Sequence, residues 1–152
     1  MFHMTSAISD GDSIIHFRGS DVISAGDVFD QTRFPPIDIK EGGSIQGELQ
    51  ALNRLLDLVL PDVNTQGGTL VIPGHGRICD VSDVAFYRNM VTIIRDRIAA
   101  MAAKGMTLEQ VQAAHPTEDW DPQFGKDPVW TPTRFVEAVY KTLNVEPTHA
   151  QN

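Results

Sequence analysis

Thr69-Leu70-Val71-Ile72-Pro73-Gly74-His75-Gly76 is the stretch on which the fold turns. Its first four residues are apolar or β-branched, follow a turn containing Gly67-Gly68, and predict a short buried strand. Pro73-Gly74 ends that strand abruptly. Glycines on both sides of His75 let the backbone bend sharply and leave the imidazole accessible.

Upstream, Ser44 suits the N-cap of a helix whose apolar positions Ile45, Leu49, Leu52, Leu56 and Val59 recur at helical spacing until Pro61. From Val28 to Gly43 the chain has Pro35-Pro36, Gly42-Gly43 and no sustained period, which marks a long loop. Before it, Ser13 to Phe17 and Asp21 to Asp27 read as two antiparallel strands joined across Arg18-Gly19-Ser20. Downstream, a helix is expected from about Ser82 to Lys104, with Val84, Tyr87, Val91, Ile94, Ile98 and Met101 on one side and Gly105 as its stop. Thr107 and Gln110 form a capping box for a shorter helix reaching His115-Pro116. Asp119 to Val129 reads as irregular, and Thr131-Pro132 opens a last helix that faces Phe135, Val139, Tyr140 and Leu143 inward. Glu146 to Asn152 reads as a frayed tail.

The order is strand, strand, helix, strand, helix, helix, helix, without internal repeats. It predicts one α/β (α+β) domain over residues 1–145, a small sheet with helices on one face. A chain of 152 residues can bury one ordinary core. The net charge of -8, with no stripe of Lys or Arg, argues against nucleic acid and anionic membranes as partners. No apolar run approaches the roughly 20 residues that span a bilayer, and Met1 to Ser6 lacks the pattern of a signal peptide. A cytoplasmic protein is expected. The single cysteine, Cys79, excludes an internal disulfide and reads as a core or near-core thiol.

Two residues of metal-ligand type end apolar strands. Asp27 follows Ala25-Gly26, where a carboxylate can project from a rigid element, and His75 lies between its two glycines. A carboxylate with an imidazole is a common pairing for zinc or iron. The alternative is a strand-end Asp capping the next turn and a turn His exposed to water. Asp10, Asp12, Asp30 and Asp38 read as turn residues. Phe29, Phe34 and Ile37 either line a pocket or anchor their loop. His3 and His16 read as packed or surface residues, His115 as a helix-end residue and His149 as part of the tail.

Taken together, Asp10-Gly11-Asp12-Ser13 leading into a strand, Ala25-Gly26-Asp27 ending the next, the loop and helix that follow, Pro73-Gly74-His75-Gly76, and Trp130-Thr131-Pro132 opening the last helix resemble the C-terminal half of the metallo-β-lactamase superfamily. That family's fold is a four-layered αββα sandwich of two similar halves with a dimetal site at the edge between them. The resemblance implies a metal-dependent hydrolase in which Asp27 matches the bridging carboxylate and His75 the last histidine ligand, with Zn2+, or iron or manganese, as cofactor. Two ligands fall short of the roughly three that catalytic zinc takes from protein. The family's His-x-His-x-Asp-His motif is absent, and Ile8 stands where a histidine ligand is expected. The resemblance thus implies a truncated or divergent hydrolase, inactive or weakly active alone, or a non-enzymatic interaction module. Either reading leaves the sheet face between the halves uncovered, so a homo-oligomer or a complementing N-terminal half is expected as partner.

Overall fold

The computed structural model describes residues 1–59 and 68–144. Pro61, Gly67, His149 and the tail from Glu146 to Asn152, which carry expectations above, lie outside the described residues. The elements are β1 (Phe2–Met4), β2 (Asp12–Phe17), β3 (Val22–Gly26), α1 (Ile45–Val59), β4 (Leu70–Pro73), α2 (Val81–Ala103), α3 (Leu108–Ala113), α4 (Asp121–Phe124) and α5 (Pro132–Thr142). The expected α/β class holds, with a four-stranded sheet in the order β1-β2-β3-β4.

β1 pairs antiparallel with β2 across residues 5–11, and β2 antiparallel with β3 across the tighter turn at residues 18–21. β3 and β4 are parallel, a pairing that needs a crossover, and α1 lies within the chain between them. Ser44 starts α1 as expected. Its Oγ accepts the Gly47 N–H at 3.0 Å, and Thr142 Oγ1 from α5 accepts the Ile45 N–H at 3.1 Å, so two of the helix's unpaired donors are satisfied. α2 is capped by Asp80 in a reciprocal box with Asp83, and α3 by Thr107 with Gln110.

The sheet alternates sharply across its two faces. Ile14, Ile23, Ala25 and Val71 point into the core shared with α1, α2 and α5. On the other face the register aligns Ile15, Ser24 and Ile72 in one row and Phe17, Val22 and Leu70 in the next. Four of these are exposed: Ile15 at 38%, Phe17 at 51%, Leu70 at 44% and Ile72 at 40%. β4 therefore departs from the expected buried strand. Its sequence is apolar on both sides, but helices cover only one.

Three further differences are local. β1 is absent from the expected order, because a three-residue run is too short to mark a strand by itself, and β1 owes its place to pairing with β2. α4 is a single turn inside the segment expected to be irregular, and it buries Phe124 against Phe34 and Tyr87. In α1 Leu55 is fully buried while Leu56 is only partly so, a phase error of one residue in the predicted stripe. Among the described residues, no helix is long and apolar enough to cross a membrane.

Candidate metal centre

Asp27 sits one residue beyond β3, and His75 two beyond β4, so both emerge at the carboxyl ends of neighbouring parallel strands. A register irregularity between Ser24 and Gly26 pairs Gly26 with Pro73, and Gly26 adopts φ +55°. This brings the Asp27 carboxylate against the backbone of Gly74. A Cβ at Gly74 would lie 2.7 Å from Asp27 Oδ1 and 2.8 Å from the Gly26 carbonyl, so only glycine fits before His75. Both side chains are exposed. The structure thus brings the two predicted residues to one edge of the sheet, beside the uncovered apolar face.

The rest of the expected ligand set is not assembled. Among the described residues there is no group of three or more His, Cys, Asp or Glu side chains that could hold a metal ion. Ile8 is 7% exposed and belongs to the core. Its neighbourhood is built from the backbone outward. Ser44 N–H donates to the Ser6 carbonyl at 2.9 Å, and Asp38 N–H to the Ile8 carbonyl at 2.7 Å. A Cβ at Gly43 would sit 2.0 Å from the Ile8 oxygen, and one at Gly47 would sit 1.8 Å from the Ser6 oxygen. Two glycines therefore let the loop and α1 close onto residues 6–8. The side chains of Asp27 and His75 have the right chemistry for zinc, but the described residues do not by themselves fit a complete metal centre.

Other residues weighed from sequence fall into place as structure. Phe29, Phe34 and Ile37 are buried anchors: Phe29 meets Tyr87 edge-on at 5.3 Å, and Phe34 stacks on Phe135 at 4.9 Å. Asp30 is fully buried, accepting from Arg33 Nε at 2.8 Å and from the Thr32 N–H and hydroxyl. Asp38 accepts the Lys40 and Glu41 N–H groups, and Asp12 accepts the Ser9 N–H, as turn carboxylates do. His3 contacts the Asp10 carbonyl and His16 faces Asp21 at 3.7 Å, while His115 follows α3 in a left-handed conformation. Cys79 is buried, and burial together with Asp83 pushes its thiol up to about 11, so it is an inert core group.

Sequence reasoning passed over Glu48. It is fully buried in α1, and neither carboxylate oxygen has a hydrogen-bond partner. Burial, and then the charge of Asp12, raises its pKa well above the usual carboxylate range. The signal was present, since position 48 follows Ile45 by three residues and so shares its face of the helix.

No protein-family model matches the chain. No curated protein matches it either. Among solved structures, a double mutant of the sec-alkyl sulfatase PisA1 is similar, with a TM-score of 0.63 at 15% identity over 91% of this chain. The likeness is one of fold. Such sulfatases have the metallo-β-lactamase fold. The chain spans 23% of that protein's length.

Proposed function

We propose that this chain is the C-terminal half of a metal-dependent hydrolase of the metallo-β-lactamase type, contributing Asp27 and His75 to a site that another half completes. The observation that carries this reading is the contact of the Asp27 carboxylate with Gly74, which sets both donors at one sheet edge. The metal is zinc, or iron or manganese, and hydrolysis by the isolated chain is weak or nil because its donor set is short. The uncovered face of Ile15, Phe17, Leu70 and Ile72 is where a complementing N-terminal half, or a second copy of the chain, would pack.

A second reading, a non-enzymatic interaction module that retains the half-fold, is favoured by Ile8, which fills the core where the family places a ligand. One experiment separates the two. Zinc content is measured after purification from zinc-supplemented medium, alone and mixed with an N-terminal half carrying a His-x-His-x-Asp-His motif. The hydrolase reading expects substoichiometric zinc alone, a rise toward one equivalent or more in the mixture, and loss of that rise in Asp27→Ala and His75→Ala. No rise in the mixture, or a rise that both substitutions leave untouched, would support the interaction module instead.

A further inference from the structure

Beyond the ends of β3 and β4 the two chains stay side by side. Gly74 N–H donates to the Phe29 carbonyl at 2.9 Å, and Gln31 N–H donates to the His75 carbonyl at 3.1 Å. The Gln31 side chain then reaches over Gly76, and its Oε1 accepts the Arg77 N–H at 3.1 Å. Gln31 therefore bonds the peptide groups on both sides of Gly76. Gly76 has φ +116°, and a Cβ there would lie 2.8 Å from both Cβ and Oε1 of Gln31, so the place Gln31 takes leaves room only for glycine at 76.

The base from which Gln31 acts is rigid. Phe29 is locked against Tyr87, and Asp30 is buried in its pair with Arg33. On the far side of the turn, Arg77 pairs with Asp83 at 2.7 Å, and Cys79 exchanges both backbone hydrogen bonds with Val71. Between these anchors His75 has a glycine on either side, the backbone with the most conformations to lose. Without a cross-link the imidazole's direction would be poorly defined.

We propose that Gln31 is the positioning residue for His75, holding the Pro73 to Arg77 turn in one conformation so that the imidazole leaves the sheet edge beside Asp27 before any ligand arrives. The inference deepens the reading of Asp27 and His75 as a ligand pair and rests on it for its purpose. Its geometry is tested without metal.

The test compares Gln31→Met, which keeps the length but removes the acceptor, with Gln31→Glu, which keeps an acceptor oxygen, both in the full chain. Hydrogen exchange at the Arg77 amide and the imidazole carbon–proton NMR signals of His75 are recorded, with the melting temperature as control. In Gln31→Met, loss of one hydrogen bond should speed Arg77 exchange about tenfold and move the His75 signals, with the melting temperature lower by no more than the few degrees one such bond is worth. Gln31→Glu should restore both readouts to parental values. Parental exchange and His75 signals in Gln31→Met would overturn the proposal, as would a Gln31→Glu variant that matches Gln31→Met. So would an Arg77 amide that speeds up no more than the core amides do, since that marks a general structural role. Because no metal enters, zinc results from Asp27→Ala and His75→Ala can fail while this one holds, and the reverse.

Discussion

Replacing Glu48 should change how stability depends on pH, and its sign follows from burial. Both carboxylate oxygens are sealed from water without partners, and burial followed by the Asp12 charge holds the group's pKa well above its ordinary value. The folded chain therefore keeps the Glu48 proton to higher pH than the unfolded chain, which releases it near pH ~4.3. Between those two pKa values the folded state binds the extra proton, so stability is full below the unfolded pKa and falls as pH rises. One proton sets the limiting slope at about 1.4 kcal/mol per pH unit. Even neutral, the acid leaves buried polar atoms unpaired, at about 1–3 kcal/mol. Glu48→Met, with similar length and no such atoms, should thus stabilise the fold by about 1–3 kcal/mol below pH ~4.3 and by more at higher pH. Glu48→Gln should match the parent in acid and outlast it as pH rises, since it keeps polar atoms but cannot ionise. Urea unfolding of the three proteins from pH 4.5 to 8 measures this, and other titrating groups cancel in the differences. A Glu48→Gln line parallel to the parent across that range would refute the reasoning.

Two other perturbations address the proposed ligand positions and the open face. Ile8→His should not rebuild a ligand, because residue 8 is part of the core: about 2–4 kcal/mol of stability should be lost, and calorimetric titration with zinc alone should look parental. Stoichiometric zinc binding at parental stability would show instead that position 8 still faces a site. Ile15→Lys with Leu70→Lys puts charges on the exposed rows of β2 and β4. Sedimentation at micromolar concentration should find the parent associated and this variant monomeric, and a monomeric parent would remove the case for an interface between copies.

What the sequence made legible was local. Ser44, Thr107 with Gln110, and Thr131-Pro132 announce helix starts through side chains that satisfy the helix's own first donors, a chemistry contained within a few residues. Elements held by distant partners were harder to read. β1 exists because β2 lies beside it, and α4 because Phe124 finds the aromatic cluster around Phe34. The exposure of Leu70 and Ile72 could not be read from β4, since an apolar run is the same whether its second face is covered or not. Asp27 and His75 could each be singled out by the turn chemistry around them. Their adjacency depends on the parallel pairing of β3 with β4 across α1, which spacing does not encode and the resemblance supplied. Gln31 has no sequence signal, because its role consists of bonds to residues 44 or more positions away.

The distribution of fitted and unfitted features follows the two faces of the sheet. Toward the helices, close backbone contacts at Gly43 and Gly47, the caps at Ser44 and Thr142 and the stacked aromatics close the structure tightly. Toward the other face, apolar side chains are exposed, and among the described residues no third metal-type side chain joins Asp27 and His75 at the edge. A core that is complete on one side lets the fold stand without a site. This separates the two readings of function physically: loss of Asp27 or His75 should leave folding intact under both, so stability cannot decide between them. Only chemistry at the open edge can, and zinc uptake that depends on Asp27, His75 and a complementing half is the outcome that only the hydrolase reading allows.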